Sequence, residues 1–362
     1  NSLTVEDLLL TPTQDIAKRC KTSPIEIKRI VDIVLCATCP PELSRLEILA
    51  ADGDEKFSTG DDTLDDALGG GIRTGMVWEV VGESSAGKTQ LALQLSLFVQ
   101  MPLDSGGLSG SACYLTTSSK LPTDRLVQIC ELDGTLSSSL CLEHVHTLAV
   151  PTVAMLQEVL TNNLPKFILG QVSKGLRPVK LVIIDALGEL FHSNTKTTTS
   201  TLVERSKNIA SLSASLHELA DVHKVAVVVL NEVIDRFDRP RHDQREADLL
   251  YENQSRWFNT AEFFGESKKE ASLGLVWANQ INTRIMLTRT GRRRYLSDQD
   301  LPKRRRLNET VEHTVQVPRL ANEDEQQSTL IRRLTIIFST VSSPLSLDYV
   351  VTERGITVLP DE

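Results

Sequence analysis

Residues Gly82-Glu83-Ser84-Ser85-Ala86-Gly87-Lys88-Thr89 follow the pattern G-x-x-x-x-G-K-[ST] without deviation. They come directly after Met76–Val81, which reads as a strand, and they open Lys88–Met101, a run of good helix formers with amphipathic spacing. Strand, glycine-bearing turn and helix in that order frame a phosphate loop. The glycines let backbone N–H groups curl around a β-phosphate, and the helix N-terminus adds positive potential there. Lys88 is then placed to neutralise β and γ oxygens, and the Thr89 hydroxyl to ligate magnesium. The implied ligand is a nucleoside triphosphate, ATP with Mg2+. The competing reading, a glycine-bearing turn feeding an ordinary helix, requires both flanking patterns to be coincidental.

A second element supports the first. Leu181-Val182-Ile183-Ile184-Asp185 is a run of buried β-formers ending in a carboxylate. Such a strand puts Asp185 at the C-terminal edge of a sheet, beside the phosphate loop, where it would hold the magnesium ion through water. Around it, strands (Ala112–Thr117, His144–Val150, Val179–Asp185, Val225–Asn231) alternate with helices (Thr123–Glu131, Thr152–Val172, about Ser200 to Val222). Two of those strands are continuously apolar, as in a parallel sheet covered on both faces. The fold class is therefore α/β, doubly wound.

The chain has 362 residues, enough for one large domain and a smaller one. Residues 1–40 read as a small helical N-terminal domain, stopped by Pro40-Pro41. Residues 41–59 read as a polar linker, and residues 60–362 as the nucleotide-binding core. Two long charged stretches, near 232–272 and 291–328, interrupt that core; loops of this length inside a compact domain are usually functional or disordered. The β-like segments Ile285–Thr290 and Leu330–Thr340 flank the second.

A net charge of −9 argues against a protein that coats nucleic acid with its whole surface. Positive charge is nevertheless concentrated between Arg284 and Arg306, which implies a local task for that segment. Within it, Pro302-Lys303-Arg304-Arg305-Arg306 reads as a nuclear import signal, a DNA patch or a solvated loop, and import places the protein in the nucleus. No apolar run approaches membrane-spanning length, so no membrane partner is expected. The cysteines sit mostly in apolar stretches, which suits a reducing compartment. Cys36 and Cys39 form one C-x-x-C pair. Without a second pair or nearby histidines it fits neighbouring helix positions better than a zinc or redox site.

Several further runs carry a resemblance. Leu64-Asp65-Asp66-Ala67-Leu68-Gly69-Gly70-Gly71-Ile72, Lys88-Thr89-Gln90-Leu91, Val99-Gln100-Met101-Pro102, Gly106-Gly107, Tyr114-Leu115-Thr116-Thr117 and Asp124-Arg125-Leu126 resemble the RecA-type recombinases of eukaryotes and archaea. The likeness resumes at Val227–Asn231, Leu273-Gly274 and Thr283-Arg284-Ile285, covering about residues 57 to 290. The Ser-Ser-Ala-Gly-Lys-Thr-Gln loop and Leu275–Gln280 are most similar to the recombinase paralogues, accessory proteins of homologous recombination, and to the fungal paralogue that pairs with a second one. The resemblance implies a RecA-like core and a nucleotide site of Gly82, Glu83, Ser84, Ser85, Ala86, Gly87, Lys88, Thr89, Gln90 and Arg125, with Thr89 and Asp185 at the metal. Arg125 would stack on adenine, or else is a solvated helix arginine.

Departures from the family pattern carry equal weight. Recombinases have a water-polarising glutamate where this chain has Ser118, and a serine hydroxyl takes no proton at neutral pH without an activating base. The resemblance therefore implies weak DNA-dependent ATPase activity. The family's glutamine sensor appears as Glu232, either a displaced catalytic carboxylate or a solvated loop residue. Family DNA contacts come from two loops, here around Phe191–Thr199 and after Glu232, so Lys196, Arg236 and Arg239 are the candidate contacts to single-stranded DNA. The linker lacks a clear Phe-x-x-Ala, the peg by which a recombinase subunit enters its neighbour, and the N-terminal segment lacks the glycine pair of a helix-hairpin-helix turn. These features imply a mediator that forms a heterodimer with a second paralogue and acts on the main recombinase filament. Strand exchange by the chain itself, and a RecA-fold scaffold with a structural nucleotide, are the alternatives.

Overall fold

The computed structural model describes residues 8, 11–38, 55–118, 120–132, 142–191, 199–235, 269–295 and 328–360. It divides into two units, Asn1–Gly53 and Asp54–Glu362. In the first, helices α1 (Thr13–Cys20) and α2 (Pro24–Thr38) bury Ile16, Ala17 and Ile27 against each other, with Leu8 and Val31 packed alongside. Lys21 ends α1 in the left-handed region, its N–H donating to the Ala17 carbonyl, which reverses the chain between the helices. Cys36 lies on α2, and Cys39 lies outside the described residues.

The second unit begins earlier than the polar composition suggests. Strand β1 (Lys56–Phe57) pairs antiparallel with β2 (Ile72–Arg73), and Phe57 and Thr59 are buried. Residues 55–59, read as the end of a linker, thus belong to the core. Between the two strands lies α3 (Asp62–Ala67), capped by Asp61, whose side chain accepts from Leu64 N. The Asp65 carboxylate accepts from the Thr59 amide and hydroxyl, both at 2.7 Å, which ties the segment down.

The remaining strands build one sheet. They are β3 (Val77–Gly82), β4 (Ser111–Thr116), β5 (Val145–Ala149), β6 (Val179–Asp185), β7 (Ala226–Asp235), β9 (Thr283–Tyr295), β10 (Ser328–Ser339), β11 (Ser346–Thr352) and β12 (Gly355–Val358). Their order is β12-β11-β10-β9-β3-β7-β6-β4-β5, with β8 (Lys269–Ala271) paired to β7. From β5 to β9 the pairings are parallel, and β9 through β12 are antiparallel. The sheet is mixed rather than wholly parallel.

Continuous apolar runs follow from burial on both faces. Leu181, Ile183, Val228 and Leu230 point into one layer with Trp78 and Tyr114. Val182, Ile184, Val227 and Val229 point into the other with Trp277. Helix α4 (Lys88–Phe98) fills the first layer. It is buried from Leu91 to Phe98 rather than amphipathic, and its buried Gln94 is satisfied by donating to Thr59 O and accepting from Ile356 N on β12. Helix α5 (Thr123–Leu132) joins this layer through Leu126 and Ile129. The second layer holds α6 (Val153–Glu158), α7 (Leu164–Ser173), α8 (Thr199–His223) and the short α9 (Gly274–Ala278). A π-helical turn at Val159–Asn163 interrupts the single helix expected from Thr152 to Val172.

Both charged stretches are flanked by β-ribbon. β7 continues to Asp235 and pairs antiparallel with β8, and β9 continues through Arg292–Arg294 to pair with β10 from Ser328. The β9–β10 end is exposed or half-buried throughout, and the β7–β8 end buries only Ala271, with Val233 packed alongside, so neither carries enough apolar positions for an alternation to mark it in the sequence.

Candidate functional site

The phosphate loop leaves β3 at Gly82 and enters α4 at Lys88. Gly82 packs so closely on β9 that a Cβ there would stand 2.4 Å from Leu287 O, which excludes any side chain. Gly87, the residue before α4, has a φ of 108°, a conformation that favours glycine. The loop is supported from outside. Tyr349 on β11 donates to Ala86 O at 2.5 Å, Arg332 on β10 donates to Ser85 O at 3.1 Å, and Glu83 N bonds Leu287 O at 3.2 Å. Ser84 and Ser85 are exposed, and Ala86 is buried.

Lys88 Nζ donates to the carbonyls of Gly82 at 2.8 Å and Glu83 at 3.0 Å, so the ammonium lies folded within the loop. Burial pushes it below the usual lysine range, and the carboxylates of Glu232, Asp185, Glu83 and Glu189 pull the other way. The Glu83 carboxylate turns outward instead, to Lys269 Nζ at 3.1 Å and the Arg289 amide at 2.7 Å. Burial raises its pKa, and these contacts outweigh that to hold it below the ordinary value.

Asp185 ends β6 as its sequence run implies. Its Oδ2 accepts from Thr89 Oγ1 at 3.1 Å and from Tyr114 OH at 2.7 Å. Burial, the Asp185 charge and the bond to Asp185 all raise the Tyr114 phenol well above its ordinary value, so it stays protonated and donates. The two residues named for the metal are therefore in contact. Arg125 on α5 spends its guanidinium edge on Gln90 Oε1 (2.6 Å), Gln128 Oε1 (2.5 Å), Thr352 O (2.6 Å) and Glu353 O (2.9 Å). It is a half-buried clamp on the β11–β12 turn and not a freely solvated side chain.

Comparison with known proteins fits this arrangement. The Rad51 family model matches residues 55–246, more than half of the chain. The chain belongs to the Rad51 family. Members of this family are in general nucleotide-binding and magnesium-dependent. The DNA repair protein rhp57 of Schizosaccharomyces pombe is 28% identical over 298 residues, covering 78% of this chain and 81% of the relative. A DNA repair protein XRCC3 homolog of Arabidopsis thaliana is 31% identical over 314 residues, covering 83% and 92%. The DNA repair protein RAD57 of Saccharomyces cerevisiae is 32% identical over 247 residues, covering 65% and 52%. The likeness to Rad51 paralogues supports a role in homologous recombination repair.

Within this Rad51-family site, Ser118 is exposed just beyond β4, and Glu232 on β7 stands in register with Gly82 on β3. Lys196, Arg236, Arg239, Lys303, Arg304, Arg305 and Arg306 lie outside the described residues. Sequence reasoning missed Tyr114 as the donor to Asp185, Tyr349 and Arg332 as props of the loop, and Glu189 beside Thr117. The first was legible in principle, because a buried tyrosine needs a partner for its hydroxyl. Tyr349 and Arg332 come from the far end of the chain, where no local pattern announces them. Among the described residues no helix is long and apolar enough to cross a membrane.

Proposed function

We propose that this chain binds ATP with magnesium at the phosphate loop and, paired with a second paralogue, assembles or stabilises recombinase filaments on single-stranded DNA during double-strand break repair. The observation that carries the nucleotide reading is the contact between Thr89 Oγ1 and Asp185 Oδ2 at 3.1 Å, a hydroxyl and a carboxylate held together at the mouth of the loop. These residues fit the group. Among the described residues no cluster of three or more His, Cys, Asp or Glu side chains could hold a metal alone. The ion would take its remaining ligands from phosphate oxygens and water, as magnesium commonly does. Held by Thr89 and Asp185, it would offset the negative charge of the bound phosphates. With four hydrogen bonds made along the Arg125 edge, the face of its guanidinium is what is offered to an adenine ring.

The heterodimer reading has its own support. Strand β5 ends the sheet, and beside it lies an apolar cavity of about 290 Å³ lined by Cys113, Leu115, His146, Leu148, Leu164 and Phe167. Such a cavity accepts an apolar peg, yet the linker of this chain carries no clear Phe-x-x-Ala to supply one. A neighbour of different sequence resolves that asymmetry. Lys196, Arg236 and Arg239 are proposed as contacts to single-stranded DNA and Lys303–Arg306 as a nuclear import signal. Loss of the protein would then cause sensitivity to double-strand breaks and reduced recombination, including in meiosis.

The test is recombinase loading on single-stranded DNA already coated with single-strand binding protein. The purified chain, with its co-purifying partner, is expected to speed loading or slow filament disassembly. No effect on either rate would refute the mediator role.

A further inference from the structure

We propose that Glu189 is the general base for ATP hydrolysis at this loop, standing in for the carboxylate that Ser118 does not provide. The inference rests on the ATP-binding reading above and goes beyond it by naming the group that handles the proton.

The placement follows from strand register. β4 and β6 are parallel neighbours with Thr116 opposite Asp185, so both strands end at the same level over the phosphate loop. One residue further on, Thr117 N donates to Asp185 O at 2.9 Å. The Thr117 hydroxyl donates to Ala186 O and accepts from Ala186 N, each at 3.0 Å. That same hydroxyl reaches Glu189 Oε2 at 3.4 Å. Position 118 directly follows Thr117, and there the family carries its glutamate after β4. Here a carboxylate arrives at Thr117 from the adjacent strand end instead.

Glu189 is also held in place. It sits on a short 3₁₀ turn, Leu187–Phe191, whose Leu187 is buried. Gly188 N donates to Asn231 Oδ1 at 2.7 Å, and a Cβ at Gly188 would stand 3.2 Å from that oxygen and from Ser272 Oγ. A turn fixed from below with a half-buried carboxylate above is the kind of preorganisation proton transfer requires.

The neighbouring carboxylates are otherwise engaged. Asp185 Oδ2 is taken by Thr89 and Tyr114, and Glu83 by Lys269 and Arg289. Glu232 is in register with Gly82, the first residue of the loop, and its charge acts on Lys88 more strongly than that of Glu189. In the proposed step a water oxygen attacks the γ-phosphorus and the bond to the β,γ-bridging oxygen breaks. Its electron pair leaves with ADP, and the water proton passes to a Glu189 carboxylate oxygen. The products are ADP and inorganic phosphate, after which Glu189 releases its proton to solvent.

The experiment compares the full-length parent with Glu189→Gln, Ser118→Ala and Glu232→Gln. It reads single-turnover hydrolysis of Mg-ATP, equilibrium affinity for ATP, and capture of ADP with aluminium fluoride, a mimic of the in-line geometry. Glu189→Gln is expected to slow hydrolysis by about 10²–10⁴-fold and to lose aluminium fluoride capture. Its ATP affinity should stay within about 3-fold of the parent, as for a group acting only in the transition state. Ser118→Ala is expected to match the parent, and Ser118→Glu placed on the Glu189→Gln background to recover part of the lost rate. The proposal is overturned if Glu189→Gln keeps the parental rate, if it loses ATP affinity in step with rate, or if Glu232→Gln alone abolishes turnover. A parent that binds ATP without hydrolysing it overturns the base assignment alone. A parent that binds no ATP removes the underlying reading as well.

Discussion

Glu79 and Arg284 form a salt bridge in which neither side chain touches solvent. They are cross-strand partners on β3 and β9, and the remaining Glu79 oxygen accepts from Trp277 Nε1 on α9 at 2.8 Å and from Asn231 Nδ2 on β7. Asn231 in turn holds Gly188 N, so one buried carboxylate joins the strand before the phosphate loop to the turn after Asp185. Removing one partner would leave the other charge buried and uncompensated. Arg284→Met is therefore expected to cost about 3–5 kcal/mol of stability in urea unfolding. A change below about 1 kcal/mol would mean that solvent reaches Glu79.

Lys88 lies within the loop and donates to the carbonyls of Gly82 and Glu83. Lys88→Ala is expected to weaken ATP binding by about tenfold or more, because the phosphate charge loses its nearest cation. Equal affinity of variant and parent in equilibrium dialysis would remove the nucleotide assignment.

Tyr114 gives a finer test of the metal position. Its hydroxyl orients the same Asp185 oxygen that meets Thr89. Partners that orient a metal-site carboxylate typically matter by about 10–100-fold. Tyr114→Phe is expected to lower the magnesium-dependent part of ATP affinity by about tenfold while leaving magnesium-free binding unchanged. An equal loss with and without magnesium would mean that Tyr114 supports the core and not the metal.

How much of this was legible in the sequence depends on where the determining contacts lie. The loop from Gly82 to Thr89 and the strand ending at Asp185 are local patterns whose physics is self-contained, and the structure brings Thr89 and Asp185 together. Val179–Asp185 has the bounds its apolar run implies, because both faces are buried. The outer strands were less legible. Ser346–Thr352 and Gly355–Val358 bury Leu347, Tyr349, Ile356 and Val358 at alternate positions, but runs this short are weak signals apart from their pairing with each other and with β10. Phe57 and Thr59 sit in a polar stretch, and their burial depends on α3 and α4, elements later in the chain. The Arg125 clamp likewise needs Thr352 and Glu353, more than two hundred residues away.

Asp348 on β11 ties the antiparallel wing together and makes its stability depend on pH. Its carboxylate accepts from Arg333 Nε on β10 at 2.9 Å and from Arg292 Nη2 on β9. Burial alone would raise the carboxyl pKa, but the bonds and charges of Arg333 and Arg292 outweigh it and hold the pKa below the ordinary aspartate value. A carboxyl with a lowered pKa binds its proton less readily in the folded chain than in the unfolded one. Its contribution is therefore complete above the unfolded value and is lost as pH falls from about 4 through the folded value. Asp348→Asn is expected to cost about 1 kcal/mol at neutral pH and to flatten this acid limb in urea unfolding. Because the Arg292 side chain is 54% exposed and that of Arg333 is 29%, Arg333→Ala should reproduce more of the loss than Arg292→Ala. An Asp348→Asn variant that keeps the parental acid limb would show that other carboxyls set the response.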